Sequence, residues 1–372
     1  MDYSRRVDMV TVYREPACYR PPNTLEELAK DTEYPNMNSI QYRKTPVVEA
    51  PEEKLSPFID HVATNGAGHV IVAGNQYTSR QWGSKLCGWE SPADILREDK
   101  VSFFLRNEAS VTGLCYTKDD ELFLQANDRG SIELWSTGNP VRGPGYSLYQ
   151  VDNRNEHIGA VTAVDIFRGE ERHAISGSTD GCLKLWDYSE GDLHSTTTMH
   201  HAHSGPITDV ATDSTQSSLA VTCSRDRSAL LWDFREMKPA TALYEKHDAA
   251  FTAIRWPDEV NWKRLVAIGD EAGRVFFIDV RQPNVFLETI DCFDRKVHKL
   301  SFQGKHFAVL GNTQEAKFFD ENSKQIHVEK SASNYVRDIV WDQKSTNKNV
   351  CCWLVGWDSY FTSVAIELNT QL

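Results

Sequence analysis

A strand–turn–strand phrase that recurs at a near-constant spacing predicts an all-β repeat fold, a closed propeller of seven blades. The phrase is GSTDGCLKLWD at 177–187, in which Asp180 and Gly181 make a polar turn ahead of an alternating strand ending in Trp186. Relatives of it stand at CSRDRSALLWD (223–233), GDEAGRVFFID (269–279) and GNTQEAKFFD (311–320), with weaker copies at NDRGSIELW (127–135) and GWDSYFTSVAI (356–366). The residues in the Trp slot are Trp135, Trp186, Trp232, Ile278, Phe319 and Val364, separated by 51, 46, 46, 41 and 45 positions. One further step of 46 backwards reaches Trp89, which makes seven units.

That spacing is the period of about 40–45 residues that WD40 blades show. Each unit begins with a β-rich run, such as Val161 to Phe167, Ile207 to Thr212 or Val336 to Trp341. A second short run follows, then the turn and the slot strand. A His precedes two of the first runs, His157 in HIGAVTAVDIF and His203 in HSGPITDVA. In WD40 repeats such a His joins a strand Ser or Thr, the turn Asp and the slot Trp in a buried hydrogen-bonded network. Here the expected members are His157, Ser176, Asp180 and Trp186, and in the next unit His203, Asp226 and Trp232. Buried polar atoms need partners, and this set supplies them while fixing the turn.

The same residues could be taken for a hydrolase triad, but their repetition at equivalent positions favours the structural network. The MHHAHSG cluster (His200, His201, His203) offers metal-ligand chemistry; a connection between blades carrying one structural His accounts for it better. The chain has no phosphate-binding loop, no H-E-x-x-H and no dinucleotide fingerprint. No catalytic residue, metal or cofactor is expected.

The propeller is assigned to 58–368. After the last slot strand only a short piece remains, including a tail at 369–372, so the fourth strand of the seventh blade should come from the other terminus. TPVVEA (45–50) is the candidate. Residues 1–57 hold 7 of the 14 prolines and read as a largely irregular extension. Within them TLEEL, with Thr24 and Glu27 as a capping box, suggests one short helix. Three Tyr-Arg pairs, beginning at Tyr13, Tyr19 and Tyr42, have interface composition.

The chain's 372 residues carry a net charge of −13, which disfavours nucleic acid and favours basic polypeptides. No apolar stretch approaches membrane-span length, and the first residues lack the apolar core of a signal peptide. Eight cysteines without C-x-x-C spacing point to reduced thiols in the cytoplasm or nucleus.

One blade departs from regularity. Gly74 to Trp89 spans 15 positions, whereas Gly177 to Trp186 spans 9. The excess lies in NQYTSRQWGSK, expected as a lengthened polar loop presenting Tyr77, Arg80 and Trp82, residue types common in interface hot spots.

The phrases SRDRSALLWDFREMKPA, GDEAGRVFFID and NYVRDIVW…VGWDSYFTSVAI resemble the methylosome WD-repeat subunits, the propeller partners of the symmetric (type II) protein-arginine methyltransferase. The similarity spans about 70–366. It implies a non-catalytic subunit in a hetero-octamer of four methyltransferase and four propeller chains. Such a subunit stabilises the enzyme and helps present Arg/Gly-rich substrates such as Sm proteins and histones, in cytoplasm and nucleus. The first-blade SRQWGSKLCGW looks like the family's docking loop, which would make Trp82 the anchor, with Arg80 and Tyr77 beside it. The long N-terminal extension departs from the family pattern. A competing reading rests on W-D-x-R (Trp232, Asp233, Arg235), a short pattern shared by substrate receptors of cullin-4 ubiquitin ligases.

Overall fold

A computed structural model describes residues 55–78, 81–138, 148–169, 172–213, 218–236, 238–257, 262, 265–342 and 349–367. The chain divides into two units, Met1–Tyr42 and Arg43–Leu372, and every described residue belongs to the second. The strands fall into seven antiparallel sheets arranged as a ring. Blade 1 is β1 (Phe58–Thr64), β2 (Val70–Thr78), β3 (Gln81–Trp89) and β4 (Phe103–Asn107). Blade 2 is β5 (Val111–Tyr116), β6 (Leu122–Asn127), β7 (Ser131–Ser136) and β8 (Tyr149–Asn155). Blade 3 is β9 (Val161–Ile166), β10 (His173–Ser178), β11 (Leu183–Asp187) and β12 (His194–Met199). Blade 4 is β13 (Ile207–Thr212), β14 (Leu219–Ser224), β15 (Ala229–Asp233) and β16 (Lys238–Tyr244). Blade 5 is β17 (Phe251–Arg255), β18 (Leu265–Asp270), β19 (Arg274–Asp279) and β20 (Glu288–Asp291). Blade 6 is β21 (Val297–Gln303), β22 (His306–Gly311), β23 (Ala316–Phe319) and β24 (Gln325–Glu329). Blade 7 is β25 (Val336–Trp341), β26 (Asn349–Gly356) and β27 (Tyr360–Glu367).

The core is distributed between blades. Each of seven buried clusters draws on two neighbouring sheets, and one joins Ile59, Val62 and Val72 of blade 1 to Val340 and Val355 of blade 7. All seven slot residues are buried, none more than 4% exposed. Second strands such as β10 and β18 are buried along nearly their whole length because both faces meet another blade, so they read as apolar runs.

Every blade carries a bulge at the same place, between its first and second strands. The register between first and second strands skips Asp60, Thr112, Thr162, Thr208, Thr252, His298 and Arg337. A bulged residue leaves the ladder and has its side chain free for other work. Thr162 Oγ1 donates to Ile207 O at 2.7 Å, Thr208 Oγ1 to Phe251 O at 2.9 Å, and Thr252 Oγ1 to Val297 O at 2.6 Å. Each of these bonds ties one innermost strand to the next. Carboxylates do the same: Asp165 accepts from Thr212 N, Asp209 from Ile254 N and Asp338 from Val62 N.

The last of those bonds closes the ring. Asp60 of β1 accepts from Arg337 Nε at 2.9 Å and from Trp357 Nε1 at 3.0 Å. Phe58 bridges to Trp357, and Ser359 N donates to Pro57 O at 2.9 Å. Among the described residues blade 7 has three strands, and TPVVEA, expected as its fourth, lies outside them. Residues 1–54 and 368–372, with the expected helix and the Tyr-Arg pairs, lie outside them too.

Candidate partner interface

Blade 3 brings His157, Ser176, Asp180 and Trp186 together. Trp186 Nε1 can only donate, so Ser176 Oγ accepts at 2.8 Å. The Ser176 hydroxyl proton then goes to His157 Nε2, also at 2.8 Å, which places the ring proton on Nδ1, 3.3 Å from Asp180 Oδ2. Burial holds the His157 pKa below its ordinary value, against the pull of Asp180. For Asp180 burial acts upward but is outweighed. The Cys182 and Ile158 N–H groups and His157 hold its carboxyl below the usual range. Ser176 is fully buried, so its hydroxyl cannot meet a substrate carbonyl.

Blade 4 repeats the arrangement with Thr222 in place of the Ser. His203 Nε2 lies 2.7 Å from Thr222 Oγ1, which accepts from Trp232 Nε1 at 2.9 Å, while His203 Nδ1 lies 3.1 Å from Asp226. The three His of MHHAHSG part company. His203 is in this network, His200 is exposed 3.8 Å from Cys182 Sγ, and His201 is an exposed turn residue with φ of 56°.

Two further hubs escaped the sequence reading. In blade 5, His247 Nε2 faces Asp270 at 3.3 Å, and the slot holds Ile278. His247, Asp248 and Asp270 could in principle hold a metal ion, but Arg274 Nη2 lies 2.7 Å from both carboxylates and supplies the positive charge. The available signal was spacing: His247 precedes Phe251 by four positions, as His157 precedes Val161 and His203 precedes Ile207. In blade 2, buried Glu133 accepts from Trp135 Nε1, Asn127 Nδ2, Gln125 Nε2 and Gln150 Nε2 at 2.9 to 3.4 Å. Burial pushes its pKa up, against those donors. Its partners come from three strands, and no local motif announces them.

The enlarged first-blade segment corrects an expectation. NQYTSRQWGSK is strand rather than loop as far as Thr78 and again from Gln81. The β2–β3 ladder continues without a bulge through Asn75↔Ser84, Gln76↔Gly83, Tyr77↔Trp82 and Thr78↔Gln81. The inserted residues include Tyr, Thr and Trp, which favour extended pairing, so they lengthen a hairpin. Tyr77 stands opposite Trp82 in register. Arg80 and the Tyr77 and Trp82 side chains lie outside the described residues.

The root of this ribbon is fixed. Asn75 exchanges bonds with Val111, donating to its O at 3.0 Å and accepting from its N at 2.9 Å, and it also donates to Asp60. Ser84 Oγ donates to Ala109 O at 2.8 Å. A Cβ on Gly83 would stand 2.7 Å from Asn107 O, so the glycine permits the close approach of β4.

W-D-x-R has a local explanation. Trp232 is buried in the blade 4 network, while Asp233 accepts from Arg235 N at 3.1 Å and Nε at 2.8 Å. Asp279 takes the same two donors from Arg281 after the blade 5 slot, so the Asp-x-Arg part is a turn clamp that recurs within the fold.

Comparison with known proteins agrees with this architecture. The WD40 family, described as "WD domain, G-beta repeat", matches residues 149–187 and 194–233. Each match runs from the outer strand of one blade through the third strand of the next. Protein valois of Drosophila melanogaster is 31% identical over 351 residues, 90% of this chain and 94% of its own length. Methylosome protein WDR77 of Xenopus laevis is 24% identical over 295 residues, covering 78% and 84% of the two chains. The crystal structure of Chaetomium thermophilum Sqt1 bound to the N-terminus of ribosomal protein L10 superposes with a TM-score of 0.63 at 12% identity. It covers 84% of this chain and 87% of that one, a likeness of fold.

Ring, bulges and His–Ser/Thr–Trp networks together define a WD-repeat β-propeller. Within that class the chain belongs to the family of protein valois and the methylosome WD-repeat proteins.

Proposed function

We propose that this propeller is a non-catalytic scaffold of a protein-arginine methylation complex, binding and stabilising a symmetric (type II) arginine methyltransferase. The observation that carries the reading is the long, rigidly rooted β2–β3 ribbon in a chain of this family. Its ladder runs on past the blade through Tyr77↔Trp82 to Thr78↔Gln81, and Arg80 follows in the sequence between these strands. Trp82 is the anchor and the other two surround it, a common division of binding energy within an interface. The assembly is four propellers with four methyltransferases, in cytoplasm and nucleus, and its substrates are Arg/Gly-rich tails such as those of Sm proteins and histones. A net charge of −13 supports capture of such tails by long-range attraction, which salt weakens. The two His–Ser/Thr sets lie buried in structural networks, which supports a role without chemistry of its own.

The experiment is a thermal melt of Trp82→Ala beside its titration against the purified methyltransferase. The expected result is an unchanged melting point and binding weakened by about 2–4 kcal/mol, roughly 30- to 1000-fold. Arg80→Ala and Tyr77→Ala should weaken it less. A lowered melting point with undiminished affinity would move Trp82 into the core and the interface elsewhere.

A further inference from the structure

The seven bulged positions at the inner ends of the blades are not equivalent. Blades 2 to 5 place Thr112, Thr162, Thr208 and Thr252 there, whereas consecutive blades 6, 7 and 1 place His298, Arg337 and Asp60. Five of the seven are engaged in one of two ways. Three Thr bond the next blade, and Arg337 and Asp60 pair with each other. His298 does neither. These residues line a central channel of about 520 Å³, large enough for several side chains of a ligand.

At the mouth of this channel lie two more cations, Lys296 just before β21 and Arg225 in the turn after β14. Among the described residues, the side chains of Arg225, Lys296 and His298 have no hydrogen-bond or ion-pair partner, and the charged groups felt by Lys296 are Arg337 and Arg225, both cationic. The carboxylates that line the channel are otherwise engaged. Asp60 pairs with Arg337, Asp165 and Asp209 accept backbone N–H groups of the next blade, and Glu271 accepts from Ala250 N. Lys299, deeper in, is neutralised by Asp338. At the channel mouth Arg225 and Lys296 therefore stand near Arg337, where like charges repel.

We propose that the channel mouth bounded by Arg225, Lys296, His298 and Arg337 is a binding site for an oxyanion carried on a peptide side chain, either a phosphorylated Ser/Thr or a carboxylate. Two cations with free N–H donors and a neutral imidazole provide charge and hydrogen bonds to such a group. The partly exposed Ala160 and Pro206 in the channel lining receive the apolar part of the same segment.

The test uses the full chain and three short fluorescent peptides differing at one position: phosphoserine, glutamate or serine. Binding of phosphoserine or glutamate, but not serine, is expected, and the tighter of the two identifies the source of the oxyanion. Arg225→Gln with Lys296→Gln should weaken that binding about tenfold or more while leaving the melting point unchanged, because both side chains are exposed. His298→Asn should weaken it less. Affinity for the arginine methyltransferase should be the same in all variants, since the first-blade ribbon is untouched, so failure of one reading is separable from failure of the other. Equal binding of the serine peptide, no binding of either anionic peptide, or undiminished binding by the double variant would overturn the site.

Discussion

Ser176→Ala tests the blade networks at their centre. The hydroxyl is shared by two buried groups, Trp186 Nε1–H and His157 Nε2, each 2.8 Å away. Alanine removes few atoms, so little packing is lost. The cost lies in what it strands: a buried donor and a buried acceptor, each worth about 1–3 kcal/mol when left unpaired. Partial relaxation of the two rings brings the expected loss to about 2–4 kcal/mol. At about 2–4 °C per kcal/mol the melting point should fall by several degrees. Propeller blades can lose cooperativity, so the melt is best read with hydrogen exchange of the β10 and β11 amides, which should lose protection before those of blade 6. Ser178→Ala is the internal control. Ser178 is equally buried but its Oγ accepts a single bond, from Asp180 N at 3.2 Å, and about 1 kcal/mol is expected. Adding Trp186→Phe to Ser176→Ala removes one of the stranded groups, so the double variant should lose less than the sum of the singles by about 1–2 kcal/mol. A Ser176→Ala protein within about 0.5 kcal/mol of wild type, or strict additivity in the double, would show that the network contributes nothing beyond packing.

Glu133→Gln should cost about 1–3 kcal/mol in urea unfolding, because the amide oxygen can keep the bonds from Gln125, Gln150 and Trp135 while its NH2 turns towards Asn127 Nδ2, which is a donor already. Asp60→Ala should cost about 3–5 kcal/mol and open the junction of blades 7 and 1 to protease. It leaves the Arg337 guanidinium without its carboxylate and Trp357 Nε1 without its acceptor. Asp209 supplies a pH signature. Burial raises its pKa from 3.8 to about 6, so the folded chain holds a proton that the unfolded chain releases first. Its contribution is present below pH 3.8 and is lost as pH rises to about 6. The stability of Asp209→Asn relative to wild type should therefore improve between those limits and level off above them; a flat or opposite difference in melting points would refute the assignment.

The repeat was legible because its signals are local. Slot residues spaced by about a blade, polar turns such as Asp180–Gly181 and alternating strands express the pleat of a single hairpin, which needs no partner from elsewhere. His157 and His203 were legible for the same reason, since each sits at a fixed offset from its own blade. His247 shares that offset and was still overlooked, because Ile278 had replaced the Trp that marks the unit. The first-blade insertion was seen as a departure, yet its form was not. Whether additional residues bulge out as a loop or extend a ladder depends on cross-strand pairing, here Tyr77 with Trp82, which composition does not express.

By itself, then, the sequence determined the blade: its period, its strand order, its turn chemistry and the burial of its slot residues. The tertiary structure decided how seven blades become one object. Asp60 meets Arg337 across 277 positions, Glu133 gathers donors from three strands, and Arg274 fills the space between two carboxylates that would otherwise invite a metal. The bulged positions of blades 6, 7 and 1 come to share one channel, which gives Arg225 and Lys296, unpaired among the described residues, a common focus. These contacts depend on the closure of the ring. A hairpin fixes neighbours a few residues apart, but a side chain's partner across the ring is set only when the last blade packs against the first.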